Sequence, residues 1–373
     1  MKKSILFLAT AALFAACTND SVRENIADDQ VEIGFSTYIQ KPVASKADNS
    51  NAETLKNLEA YHQNFVVNGF KTVANVETQV FTDQLVTYNS AVNKKVWEYS
   101  PVSYWDKSAS KYSFYAAAPQ NASWGFDEDG KYYTFSDFTV SGTSLALAEI
   151  DVPDAAAVFG AEDLMIATDI DNHKTFTTEA VNFTFNHILS RFNIAISTTI
   201  KDATVTLNSL TVNGMKNKGS FDESLAPAVT TGSTARWNNL DVDGTYAITA
   251  VKDASNNEVV VNKDKQFVYQ GLVIPQTAAY ESIKLDGTSS ETAPYLNIQY
   301  SITTGEDAAA KTQDYSYFYN LADLFNGEGS SNLAFNEGWQ NNLYITIGAA
   351  AINFDAQVYE WATQTPGGNL VVQ

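Results

Sequence analysis

A single cysteine and three histidines in 373 residues leave little material for metal or redox chemistry. Cys17 has no partner for an intrachain disulfide, and His62, His173 and His187 are too scattered to suggest a zinc constellation. Positive charge is scarce as well: 23 basic against 43 acidic side chains give a net charge of −20. Such a surface repels phosphate, which argues against nucleic acid and against electrostatic adhesion to anionic lipid. The spacings HExxH, GxSxG and GxxxxGK[ST] do not occur, nor does GxGxxG after a strand pattern. Carboxylates are so abundant that no pair stands out as a glycosidase dyad. No enzymatic activity, metal or cofactor is therefore expected. Helical periodicity is confined to TLKNLEAYH, residues 54–62, with Leu55, Leu58 and Tyr61 on one face. With no repeat of fixed short period and no low-complexity block, a solenoid is not expected.

What is present begins with MKKSILFLATAALFAAC. Lys2 and Lys3 precede an apolar run from Ile5 to Ala16 that is too short to span a bilayer and reads as a secretory signal. Phe14-Ala15-Ala16-Cys17 resembles a bacterial lipobox, in which cleavage precedes the cysteine and its thiol carries a diacylglycerol. An ordinary export signal with an incidental cysteine is the alternative. Thr18, Asn19 and Asp20 place no aspartate directly beside Cys17, so the expected destination is the outer membrane or beyond rather than the inner membrane. Without residues 1–16 the chain has 357 residues, enough for two domains at about 150 residues each. Residues 17–30 read as a polar tether.

From residue 31 the pattern has period two. In VEIGFSTYI, Val31, Ile33 and Phe35 alternate with Glu32, Gly34 and Ser36, as in a half-buried strand. Similar runs recur at 64–70, 111–119, 181–185, 192–196, 205–212, 266–275, 296–302, 343–347 and 352–361. Short strands separated by Gly, Asn, Asp and Ser turns predict an all-β chain built as sandwiches. AEDLMIA, 161–167, fits a helical turn or a strand equally. The segments 148–164 and 169–180 read as the passage between two domains, 31–178 and 179–373. Asp127-Glu128-Asp129-Gly130 and Asp241-Val242-Asp243-Gly244 faintly suggest calcium loops but lack the closing glutamate, and Asp-Gly between strands is more often a hairpin turn.

FTFNHILSRFNIAI, residues 183–196, gathers a histidine, a serine and an arginine. On a strand, His187 and Ser190 lie on opposite faces about 10 Å apart, so they form no nucleophile and base pair. The apolar set changes parity here: Val181, Phe183, Phe185 and His187 are odd, whereas Phe192, Ile194 and Ile196 are even. A one-residue slip turns a strand over, so a bulge, a bend or a change of sheet is predicted between His187 and Arg191, with His187 half buried at a strand end. Trp97, Tyr99, Tyr104 and Trp105 cluster in VWEYSPVSYWDKS. They suit core packing, and Trp97 and Trp105 are also candidates for stacking on sugars.

These stretches together resemble the fimbrillin family of lipoprotein-derived type V pilins and their tip and anchor relatives. The similar pieces are the lipobox signal, VEIGFSTYI, VWEYSPVSYWDKSASKYSFYAAAP, VNFTFNHILSRFNIAI, LVIPQ at 272–276 and GWQNNLYITIGAAAINFDAQVYEW, in that order. The resemblance implies two tandem transthyretin-like β-sandwich domains and a non-enzymatic structural or adhesive subunit of a surface fimbria. It further implies that a trypsin-like protease cuts the loop after the first strand and that another subunit's strand replaces the one released. Relatives often carry an arginine in that loop. In IQKPVASKADNSNAE the candidate is Lys46, or less favourably Lys41, since the arginines are Arg23, Arg191 and Arg236. The donor would be C-terminal: Ile352, Phe354, Ala356 and Val358 alternate, and Leu370 and Val372 lie in the final NLVVQ. Those strands could equally complete the second sandwich at home. The partners implied are other fimbrial subunits, the outer membrane through the lipid before cleavage, and host or bacterial surface ligands. A lipid-anchored, glycan-binding surface protein that never polymerises is the alternative.

Overall fold

The computed structural model describes residues 31–39, 58–60, 62–91, 96–120, 125–139, 163–170, 180–225, 234–241, 259–279, 294–326, 332–349 and 351–360. Most of them are strand. The chain runs through β1 (Phe35–Ile39), β2 (Asn64–Val73), β3 (Val76–Asn89), β4 (Val96–Glu98), β5 (Lys111–Ala118), β6 (Gly125–Phe126), β7 (Tyr133–Thr139), β8 (Met165–Ile170) and β9 (Val181–His187). It continues with β10 (Ser190–Thr198), β11 (Thr204–Asn213), β12 (Lys218–Asp222), β13 (Trp237–Asp241), β14 (Val259–Val260), β15 (Gln266–Val273) and β16 (Gln276–Ala279). After β17 (Tyr295–Thr304) and β18 (Lys311–Asn320) comes a short helix, α1 (Leu321–Asn326), then β19 (Asn332–Phe335), β20 (Trp339–Ile347) and β21 (Ile352–Glu360). No helix among the described residues is long and apolar enough to cross a membrane.

One sheet has the order β1-β9-β8-β5-β2-β3-β4. Its β9–β8 junction is narrow, with only Met165 opposite His187 and Ile166 opposite Asn186. By contrast β1 runs parallel to β9 over the whole stretch from Phe35–Val181 to Ile39–Phe185. The β1–β9 ribbon is therefore held to the rest at one corner, and its rings face those of β2, β3 and β5. Later strands form the sheets β15-β10-β20-β21 and β14-β11-β17-β18, whose apolar faces supply Phe192, Ile194, Ile196, Leu207, Ile298, Leu343 and Ile345 to the buried core. A smaller sheet, β13-β12-β7-β6, takes two strands from before residue 178 and two from after it, and β16 pairs with β19. Strand β9 likewise lies beyond residue 178 while both its partners, β1 and β8, precede it.

The parity change at 187–191 is a change of sheet. Val181, Phe183, Phe185 and His187 are buried on β9 in one sheet, Ile188 and Leu189 form a fully buried corner, and β10 starts in another. Two details differ from expectation. His187 is fully buried rather than half buried, because Asp163 is buried with it, and every residue of β10 is buried, so its polar face is as enclosed as its apolar one. The ambiguous run 161–167 resolves as strand from Met165 onward. Of the helical pattern at 54–62, Leu58–Ala60 forms a single 3-10 turn with Leu58 fully buried, while Leu55 and Tyr61 lie outside the described residues. Asp127–Gly130 is a hairpin turn: Asp127 Oδ1 accepts from the amides of Lys131 and Tyr132, and Gly130 supplies the positive φ of 71°. Asp241 ends β13, and 242–244 lie outside the described residues.

Candidate functional site

The segment expected as the first strand sits in a seat built by two parts of the molecule. Residues 31–33 run antiparallel to 103–105: the Ile33 amide donates to Ser103 O and the Trp105 amide donates to Val31 O, both at 2.9 Å. After Gly34 the chain crosses to β9, where the Val181 amide donates to Gly34 O at 2.8 Å and Ser36 Oγ bonds Asn182 Oδ1. Period two is kept throughout, so Ile33, Phe35, Thr37 and Ile39 all point inward and are buried.

Phe35 is the centre of the seat. Its ring lies 5.8 Å from Phe65, 5.7 Å from Phe81, 5.5 Å from Tyr99 and 6.4 Å from Phe114, and stacks on Phe183 at 5.8 Å. Tyr99 adds a polar latch, its hydroxyl donating to Ile33 O at 2.6 Å. Burial pushes that phenol well above its ordinary pKa, so it stays protonated as a donor. Burying Ile33, Phe35 and Ile39 stabilises the segment by about 1.5–3 kcal/mol each. Because β1 ends the sheet and β9 meets β8 only at residues 186–187, residues 181–185 have β1 as their only strand partner among the described residues.

At the other end, β21 also closes a sheet edge, pairing antiparallel with β20 from Ile352–Ile347 to Glu360–Trp339. Ile352, Phe354 and Ala356 are half buried against the core, and Val358 is exposed. Phe354 meets Tyr319 edge-on at 4.5 Å. Cys17, Lys46, Leu370 and Val372 lie outside the described residues. The two candidate sugar platforms separate. Trp105 is buried at 4% exposure against Tyr112 and Phe114, so its ring has no face to offer a sugar; this corrects its candidacy. Trp97 is half buried on the edge strand β4, between Phe65 at 5.0 Å and Tyr88 at 5.2 Å.

Two buried polar clusters had no signal in sequence spacing. His187 Nδ1 lies 2.8 Å from Asp163 Oδ1, and His62 Nε2 donates to Asp163 O at 2.7 Å. Burial lowers the His62 pKa, so it is neutral at pH 7. The second cluster joins Arg236, beside β13, to Glu337, between β19 and β20; Nε donates at 2.9 Å and a terminal guanidinium nitrogen bonds the same oxygen. Glu223 is part of the same electrostatic group, and its Oε2 accepts from the Tyr133 amide at 3.0 Å. Desolvation pushes the Glu223 carboxyl up to about 7, opposed by that bond and by Arg236. Neither cluster contains a nucleophile within reach of a base, and no group of three metal-capable side chains occurs among the described residues.

No curated protein matches the sequence. Among solved structures, a fimbrial protein from Bacteroides vulgatus superimposes with a TM-score of 0.56 at 14% identity, over 90% of this chain and 100% of that one. A Bacteroides uniformis protein assigned to cell adhesion gives 0.43 at 15% identity, over 90% and 100%. A C-terminally truncated tip fimbrial protein, Mfa3 of Porphyromonas gingivalis, gives 0.38 at 8% identity, over 89% and 100%. The first of these supports a shared fold. A family model described as fimbrillin-like matches residues 52–361, which is most of the chain. With a match of that extent, this all-β chain, whose edge strand is seated in an aromatic groove, belongs to the fimbrillin-like family.

Proposed function

We propose that the chain is a structural and adhesive subunit of a cell-surface fimbria, non-enzymatic, exported as a lipoprotein through Cys17 and matured by cleavage after Lys46. In this reading it is two tandem β-sandwich modules with the passage between them at the Ile188–Leu189 corner, beyond the boundary read near residue 178. Cleavage would free residues 31–39 with the lipid, leaving the β9 edge unpaired and a groove lined by Phe65, Phe81, Tyr99, Phe114 and Phe183. An incoming strand with alternating apolar residues would restore both the backbone bonds and the ring contacts. The observation that carries the reading is the seat of Phe35: a centrally packed residue on an edge strand whose neighbour has no other strand partner over five residues.

The donor would come from 352–360 or from the final residues through Leu370 and Val372. The home packing of Phe354 on Tyr319 favours a second reading, in which the C-terminal strands stay in place. The chain would then remain a lipid-tethered outer-membrane surface protein. Limited trypsin treatment of the lipid-free chain tests both. The subunit reading expects a new N-terminus at Ala47 and ladders on unboiled gels, and deletion of 352–373 should abolish the ladders. Cleavage at Lys46 without oligomers, together with surface material that starts at Cys17, would favour the tethered protein.

A further inference from the structure

Of the side chains that residues 33–39 turn inward, Ile33, Phe35 and Ile39 are apolar and Thr37 is not. Thr37 is 4% exposed and stands opposite Phe183 in the register of β1 on β9. Its hydroxyl has no hydrogen-bond partner among the described residues. Other polar groups of the segment are matched: Ser36 Oγ bonds Asn182 Oδ1, and Ile33 O accepts from the Tyr99 hydroxyl. An enclosed hydroxyl that loses its water and gains no partner weakens the seat of the strand that carries it, whereas a methyl group of the same shape does not. The spacing of this strand recurs near the other end of the chain. Ile33, Phe35, Thr37 and Ile39 correspond in order to Ile352, Phe354, Ala356 and Val358 of β21, and the third position there carries no hydroxyl. The final NLVVQ offers Leu370 and Val372 at alternate positions but no ring for the seat of Phe35.

We propose that Thr37 is the residue that keeps the first strand displaceable, and that residues 352–358 of a second copy of this chain take its place, with Phe354 in the seat of Phe35 and Ala356 where Thr37 stood. This rests on the fimbrial-subunit reading and adds to it a register, a partner and a reason for the direction of exchange. Aligned in this way the incoming strand runs parallel to β9, as β1 does. Both strands offer the same backbone bonds to β9 and an aromatic ring to the seat, so neither feature favours one over the other. The difference lies at the third inward position, where the resident strand buries a hydroxyl and the incoming one does not. Removing an unmatched buried hydroxyl without changing the shape around it shifts such an equilibrium by roughly tenfold or more. Before cleavage the chain through residues 40–57 holds the resident strand at high effective concentration, and the weak position has no consequence. After cleavage that advantage is gone and the hydroxyl decides.

Two measurements test this. Hydrogen exchange on the uncut, lipid-free chain reads the strand at home, and Thr37→Val should slow the amides of 35–39 about tenfold. Thr198→Val is the control, because the Thr198 hydroxyl is matched, donating to Ile347 O at 2.9 Å and accepting from the Ile200 amide at 3.1 Å; this variant should speed exchange in β10. The second measurement follows loss of the N-terminal fragment from chain nicked by trypsin after Lys46, on addition of a synthetic peptide of residues 351–360. Thr37→Val should slow that loss about tenfold. A peptide with Ala356→Val should be about tenfold more potent than one with Ala356→Thr, since the two share a shape and differ in the hydroxyl. Unchanged exchange at 35–39 in Thr37→Val, equal potency of the two peptides, or no displacement by any of them overturns the proposal. A loop that trypsin leaves intact, or nicked chain that forms no ladders, defeats the subunit reading instead, and the uncut chain still judges Thr37 separately.

Discussion

Phe35 stacks on Phe183 across the parallel β1–β9 ribbon, with ring centroids 5.8 Å apart and planes 11° from parallel. The ribbon is one wall of its core, and these two rings fix it against Phe65 and Phe114 on the other. Phe35→Ala is expected to cost about 3–5 kcal/mol, the usual range for deleting a fully packed ring. Because β1 is the strand partner of 181–185, amide exchange there should accelerate together with that of 35–39. Urea unfolding gives the first quantity and hydrogen exchange the second. Unchanged protection at 181–185 would mean that β9 is held without β1.

The buried ion pair makes a different prediction. Arg236→Met removes the cation and leaves the Glu337 and Glu223 carboxyls buried beside each other, which should cost about 3–5 kcal/mol. The double variant Arg236→Met with Glu337→Leu removes both charges of the pair and should recover most of that loss. A double variant as unstable as the single one would assign the cost to packing on Phe221, over which the guanidinium lies at 5.3 Å.

Glu223 titrates near neutrality. Its folded pKa, about 7, lies above the ordinary 4.5, so between these values the folded chain holds a proton that the unfolded chain has released. Its contribution is fully present below pH 4.5 and is lost as pH rises to about 7. Glu223→Gln keeps a neutral acceptor for the Tyr133 amide. It should match the parent at pH 4 and exceed its stability at pH 8 by up to about 3 kcal/mol. Denaturant midpoints at the two pH values measure the difference, and a gain of the same size at both would exclude this titration as its cause.

The two tryptophans of VWEYSPVSYWDKS should behave unequally. Trp105→Ala should destabilise by about 3–5 kcal/mol, whereas Trp97→Ala, on a half-buried edge, should cost less than half as much. Thermal unfolding of the two variants side by side decides it.

How much of this was legible beforehand follows from the range of each interaction. The alternation of Ile33, Phe35 and Ile39 and the parity switch between Phe185 and Phe192 are local, because side chains on a strand alternate with period two whatever the strand pairs with. The pairing of Asp163 with His187 and of Arg236 with Glu337 was not legible, since 24 and 101 residues separate the partners and nothing in their spacing joins them. Strand β10 misled for the same reason. Its alternation predicts one open face, and β10 lies between β15 and β20 with both of its faces enclosed.

By itself the sequence determined an all-β chain, the turn at Asp127–Gly130, the corner at Ile188–Leu189 and the inward face of the first strand. These depend on backbone geometry and on the hydrophobic period of a few neighbouring residues. Tertiary structure alone decided that Phe35 sits at the centre of five aromatic rings, that Trp105 is enclosed while Trp97 stays at an edge, and that the inward hydroxyl of Thr37 meets no hydrogen-bond partner among the described residues. Depth of burial and the assembly of a groove depend on which strands become neighbours, and in a sheet protein most of those neighbours are distant in the chain.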